Sequence, residues 1–81
     1  MKVLKFSAAW CQPCKTLTTQ LESLSANYEE IDADSNPEKF KAFGIRNVPT
    51  LVLLDNNGLE KDRLTGLVTL PALKAFLNPE D

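Results

Sequence analysis

Apolar and polar positions alternate along this chain with two different periods, and each change of period marks a change of element. From Lys2 to Ser7 the period is two: Leu4 and Phe6 share one face, Val3, Lys5 and Ser7 the other. Apolar residues on both faces predict a central strand covered on both sides, in which Lys5 is out of place. After a loop at Ala8 to Trp10 the period lengthens. Cys14, Leu17, Leu21 and Leu24 recur at spacings of three, four and three, the face of a helix running from near Cys11 to about Ala26. Pro13 suits its first turn, where a missing N–H costs nothing, and Asn27 is a reasonable stop. Tyr28 to Asp32 reads as a second strand, and a strand–helix–strand unit of this length requires a right-handed crossover and parallel pairing.

The second half is punctuated more densely. Asn36 is the expected N-cap of a short helix with Pro37 at its first position, Phe40 and Phe43 on its buried side and Gly44 at its end. Ile45 to Val48 connects to Pro49. Thr50 to Leu54 is a strongly apolar strand, and Asp55-Asn56-Asn57-Gly58 is a hairpin turn with Asn57-Gly58 expected at positive φ. Leu59 to Leu64 returns antiparallel; its charges (Glu60, Lys61, Asp62, Arg63) suit an edge strand. Gly66 breaks it. Thr69 caps a last helix with Leu70, Leu73, Phe76 and Leu77 facing the core, Asn78-Pro79 stops it, and Glu80-Asp81 is a tail. The order β-α-β-α-β-β-α predicts an α/β fold: residues 1–81 as a single domain, with one four-stranded mixed sheet and helices on both faces.

Charge and composition narrow the function. Nine Lys/Arg and eleven Asp/Glu are well mixed, for a net charge of −2 and a pI of about 5.0, which argues against a nucleic-acid or anionic-membrane surface. No apolar run has the length of a membrane-spanning helix, and Met1 to Lys5 offers no signal-peptide stretch. The expectation is a cytoplasmic protein in a compartment that keeps thiols reduced. With two cysteines and no histidine, a zinc site lacks ligands, and neither a Cys–His pair nor a Ser–His–Asp set can be assembled. No metal or other cofactor is expected.

Both cysteines lie in Trp10-Cys11-Gln12-Pro13-Cys14, at the strand-to-helix junction. At i and i+3 on a helix their Cβ atoms come within roughly 5–6 Å, and a disulfide needs Cα atoms about 4.4–6.8 Å apart. The pair can therefore open and close with little adjustment. Closing so short a loop removes little chain entropy, so the bond is a poor staple and a redox role is favoured. The unpaired N–H groups and positive dipole end at the helix N-terminus favour an anion on Cys11, lowering its pKa. Cys14, one turn in, should be more buried and less acidic. Cys11 is then the attacking thiolate, and Cys14 resolves the mixed disulfide.

Phe6-Ser7-Ala8-Ala9-Trp10-Cys11-Gln12-Pro13-Cys14-Lys15, then Ile45-Arg46-Asn47-Val48-Pro49-Thr50-Leu51, then Asn57-Gly58 and Gly66, resemble the thioredoxin family over essentially the whole chain. The resemblance is to a compact thioredoxin without the usual N-terminal strand and helix. It implies the thioredoxin fold and matches Cys11 and Cys14 to the attacking and resolving cysteines. It also matches Pro49 to the family's cis-proline, which exposes the backbone of Val48 to an extended substrate segment. Trp10, Gly66 and Leu67 match other parts of the substrate-facing surface. Implied partners are protein disulfides and a thioredoxin-reductase-like recycling enzyme, and the chain is expected to act as a monomer.

Four residues depart from the family pattern. Gln12 replaces the glycine between the cysteines, which bears on the reduction potential. Ser7 replaces an aromatic and should thin the packing behind the site. Thr19 replaces a helix-kinking proline. Lys5 stands where thioredoxins usually place a buried aspartate behind the resolving cysteine, and the lysine that accompanies that aspartate matches Glu30. Two arrangements are open for these charges: an inverted Lys5–Glu30 ion pair beneath Cys14, with Lys5, Glu30 and Gln12 tuning the thiols, or a Lys5 that reaches out to solvent and a Glu30 that is a surface charge. Other readings compete with a protein-disulfide reductant. One is a glutaredoxin-like protein recycled by glutathione, although Trp-Cys-Gln-Pro-Cys and Thr65-Gly66-Leu67 lack the usual glutathione-binding pattern. Another is a non-catalytic binding module that docks through Trp10, Val48, Pro49, Gly66 and Leu67. A third is an oxidant or isomerase.

Overall fold

β1 (Lys2–Ser7) organises the sheet, as its two-sided apolar pattern requires. In the computed structural model, which describes residues 1–78, it lies between β2 (Glu29–Asp32) and β3 (Thr50–Leu54), and β4 (Glu60–Thr65) forms the far edge. β1 runs parallel to β2 and antiparallel to β3, and β3 and β4 are antiparallel. The register sets Lys5 beside Glu30 on one side and Leu51 on the other. The helices are α1 (Gln12–Ser23), α2 (Pro37–Ala42) and α3 (Leu70–Leu77). This is the thioredoxin-like order expected, β-α-β-α-β-β-α.

Strand alternation divides the core in two. Val3, Leu51 and Leu53 face Leu17 and Leu21 of α1 and Leu73 and Phe76 of α3. On the opposite face Leu4, Phe6, Ile31 and Val52 pack together, with Phe40 and Phe43 against them. Phe6 meets Phe40 edge-on with ring centroids 5.1 Å apart and Phe43 at 5.4 Å, within the range of favourable aromatic pairs. Two odd-numbered positions of β1 break the apolar rule, Ser7 and the charged Lys5, which is 1% exposed.

Several ends differ from the sequence reading. α1 closes at Ser23, with Leu24 as its C-cap, and not near Ala26 or Asn27. The N–H of Ala26 donates to the carbonyl of Leu21 and that of Ser25 to the carbonyl of Glu22, both at 3.0 Å, and Ser25 takes φ 53°. This is a Schellman closure with serine where glycine is usual, which hid the stop. The same closure ends α2 at Gly44 (φ 64°), where the N–H of Ile45 reaches the carbonyl of Phe40 at 2.9 Å. Asn36 is the N-cap of α2 but makes no side-chain cap bond; its amide donates to the carbonyl of Asp32 at 3.3 Å. In the hairpin Gly58 alone has positive φ, because Asp55 Oδ1 accepts from the N–H groups of both Asn57 and Leu59 and fixes a different turn. A register shift at Leu53/Leu54 follows, and β4 begins at Glu60. Thr69 caps α3 through the N–H of Ala72, but Leu70, its first residue, is 45% exposed; Leu73 and Phe76 make the core contact. The expected Pro79 stop and the Glu80-Asp81 tail lie outside the described residues.

Candidate active site

The end of β1 delivers the chain to the site. Ser7 and Ala8 are buried, and the carbonyl of Ala8 accepts from the N–H of Cys11 at 3.1 Å, a tight turn that sets Cys11 directly before α1. Cys11 is the N-cap (φ −93°, ψ 108°), and Pro13 occupies the first turn. Cys11 and Cys14 are joined in a disulfide with Cα atoms 5.3 Å apart. The N–H of Cys14 donates to the Sγ of Cys11 at 3.2 Å. An orphan donor of the helix start is thus aimed at this sulfur, as an anion there requires. Both cysteines are buried, Cys14 slightly more deeply, and they pack with Ala8, Ala33 and Val48. Gln12 is exposed at the first position of α1.

Around the pair, Trp10 is 73% exposed and not a core aromatic. The Val48–Pro49 bond is cis, with Pro49 buried and Val48 half-buried against the cysteines. Two bonds hold this turn: the hydroxyl of Thr50 donates to the carbonyl of Asn47 at 2.6 Å, and the N–H of Gly66 donates to the carbonyl of Pro49 at 2.8 Å. The second brings Gly66 to the turn, with the exposed Leu67 next in the chain. A groove of about 390 Å³ runs between Trp10 and Val48 over Ala33, Phe40 and Ile45, with Arg46 and Asn47 on its rim. A second cavity, about 310 Å³, lies toward the opposite end of β1 beside Met1, Leu24 and Leu77, away from the cysteines.

Behind the pair, the ammonium of Lys5 donates to Thr18 Oγ1 and to Glu30 Oε1, the latter at 3.1 Å, and lies 5.7 Å from the centroid of the Tyr28 ring. Thr18 in turn donates to the carbonyl of Cys14 at 3.1 Å, and the hydroxyl of Ser7 donates to Glu30 Oε2 at 2.7 Å. Ser7 is buried at its position and spends its hydroxyl on Glu30. Glu30 is half exposed while Lys5 is buried, so the pair spans from the interior to solvent. The Tyr28 hydroxyl is pushed above its usual pKa by burial and by the charges of Glu30 and Glu22. Among the described residues no cluster of His, Cys, Asp and Glu could hold a metal ion, and no helix is long and apolar enough to cross a membrane.

The Thioredoxin family model matches residues 1–79. The chain belongs to the thioredoxin family. It is 36% identical over 81 residues to a thioredoxin of Chlamydia caviae, a match covering 94% of this chain and 78% of that one. It is 33% identical over 66 residues to an SPbeta prophage-derived thioredoxin-like protein of Bacillus subtilis, covering 82% of each. Among solved structures, a mutant thioredoxin from Halobacterium salinarum NRC-1 superposes with a TM-score of 0.83 at 37% identity, over 93% of this chain and 69% of that one. Family and disulfide together make this thioredoxin a thiol-disulfide oxidoreductase, a protein-disulfide reductase whose redox group is the Cys11–Cys14 pair. Thioredoxins in general act on protein disulfides, are recycled by thioredoxin reductase and need no cofactor.

Three side chains at this thioredoxin's site were not singled out as site residues in the sequence. Thr18 lies four residues after Cys14, the spacing that reaches back along a helix, but nothing in its type marks it. Ser7 and Thr50 flank the motifs, and only the bonds they make distinguish them from filler.

Proposed function

We propose that Cys11 attacks and Cys14 resolves. The observation that carries this order is the N–H of Cys14 aimed at the Sγ of Cys11, the sulfur placed at the N-cap. Cys11 thiolate forms a bond to one sulfur of a substrate disulfide, whose S–S bond breaks and releases a thiolate that takes a proton from water. Cys14 loses its proton to solvent, attacks the Cys11 sulfur, and expels the second substrate thiolate. Two electrons pass to the substrate and the Cys11–Cys14 disulfide remains. Trp10, Val48, Pro49, Gly66 and Leu67 form the substrate-facing surface, with the Val48 backbone pairing to an extended segment. Gln12, Lys5 and Glu30 tune the pair. The reading is completed by a monomer acting in the cytoplasm, its one domain spanning residues 1–81. It needs no metal or other cofactor, binds neither nucleic acid nor membrane, and is recycled by a thioredoxin-reductase-like enzyme.

Insulin reduction tests this reading. Activity should require both cysteines and should be supported by NADPH with thioredoxin reductase, and not by glutathione with glutathione reductase. Cys14→Ser should accumulate a mixed disulfide with the substrate, and Cys11→Ser should not. The reverse pattern would exchange the two roles, and full turnover on glutathione alone would favour a glutaredoxin-like cycle.

A further inference from the structure

A lysine that is 1% exposed needs an explanation, because an ammonium taken out of water is costly unless its donors are used. Lys5 directs its donors at Thr18 on α1 and Glu30 on β2, and lies near the face of Tyr28. Leu51, its neighbour on β3, is apolar. Among the described residues the buried polar or charged side chains are those of Lys5, Ser7 and Thr50, so the one buried charge is positive. That charge is coupled to the redox pair by two consecutive hydrogen bonds, from the ammonium to Thr18 and from Thr18 to the carbonyl of Cys14. Its counter-charge is offset toward solvent: Glu30 is half exposed and shared with Ser7. A half-exposed carboxylate is screened by water, whereas the buried ammonium is not. The two charges therefore do not cancel at the sulfurs.

The geometry points to Lys5 as a positioning residue that holds a fixed positive charge behind Cys14 and biases the pair toward its reduced, thiolate-bearing form, with Glu30 limiting how much of that bias is felt. This deepens the reading of Cys11 and Cys14 as the redox pair, and rests on it. A cation stabilises the thiolates and leaves the uncharged disulfide untouched, so it both lowers the apparent midpoint of the pair and raises its reduction potential. The charged and titratable groups around it are Glu30 on β2, Tyr28 in the segment just before that strand and Cys14 on α1, with Glu22 bearing on Tyr28.

The test is a thiolate titration of the fully reduced protein by ultraviolet absorbance, with equilibration against glutathione as a second readout. Lys5→Met should raise the apparent thiol midpoint by about one pH unit and shift the glutathione equilibrium several-fold toward the protein disulfide. Glu30→Gln should move both in the opposite direction by a smaller amount. A merely structural pair would not give opposite signs. Midpoints unchanged in both variants, or displaced in the same direction, overturn the proposal. Should Lys5→Met fail to fold, Glu30→Gln decides alone: a lowered midpoint supports the proposal, and an unchanged or raised one overturns it. Loss of the redox-pair reading itself would register separately, as insulin reduction that survives Cys11→Ser.

Discussion

The backbone N–H of Cys14 is aimed at the sulfur of Cys11 across 3.2 Å, while Cys14 itself lies inside the first turn of α1. The two sulfurs therefore differ in the charge they can support once the disulfide opens. In the reduced protein near neutral pH, iodoacetamide should modify Cys11 at least about tenfold faster than Cys14, because the thiolate is the reacting species and only Cys11 faces the helix donors. Peptide mapping after partial alkylation measures the ratio, and equal labelling would contradict it.

Thr50 is buried, and its hydroxyl closes the turn around Val48 and Pro49 through the carbonyl of Asn47. Thr50→Val keeps the shape and removes that bond. The expected loss is about 1–2 kcal/mol in urea denaturation. Insulin reduction should slow more than reduction of a small disulfide, because only the protein substrate needs the shaped surface. Equal slowing of both would separate Thr50 from substrate presentation.

Leu70 and Leu73 both fall on the apolar face read from the sequence, yet Leu70 is 45% exposed and Leu73 is fully buried. Leu73→Ala should cost about 2–5 kcal/mol by leaving a cavity in the α1–α3 face of the core. Leu70→Ser should stay within about 0.5 kcal/mol of the parent. Thermal melts of the two variants should separate by many degrees.

Arg63 donates to both oxygens of Glu60 and to the carbonyl of Phe43 at 2.9 Å, tying the edge strand to the end of α2. The hydrogen bonds from Arg63 hold the Glu60 carboxyl below its ordinary value of 4.5, with burial opposing them. Since the folded value is the lower one, the stabilisation is complete above the unfolded pKa and is lost as the pH falls through the folded one. Glu60→Gln should therefore cost about 0.5–1 kcal/mol at neutral pH, the range of a partly exposed ion pair. The difference from the parent should shrink as the pH is lowered below 4.5. A difference that persists undiminished in acid would assign the effect to packing.

Much of the fold was legible because its signals are local. Cys14, Leu17 and Leu21 mark the buried face of α1 by spacing alone; Pro37 and Gly44 bracket α2; Thr69 caps α3 as its type suggests. The errors fall where a local signal was replaced by a substitute. Ser25 performs the closure expected of a glycine, and Asp55 imposes its own turn ahead of Asn57-Gly58. Leu70 shows the limit of periodicity, which assigns a face but not whether the sheet extends beneath it.

By itself the sequence determined the reaction class, through Cys11 and Cys14 at a strand-to-helix junction, and the order of the elements, through their periods and caps. Both rest on residues within a few positions of one another, where chain geometry leaves little choice. The tertiary structure decided how the residues behind the sulfurs meet one another. Pairing of β1 with β2 in one register brings Lys5 beside Glu30, twenty-five residues away, and packing of α1 on that face carries Thr18 to the ammonium. A shift of one residue in that register would turn Lys5's neighbours to the other face of the sheet. The charge behind the redox pair is thus a property of strand pairing and helix packing.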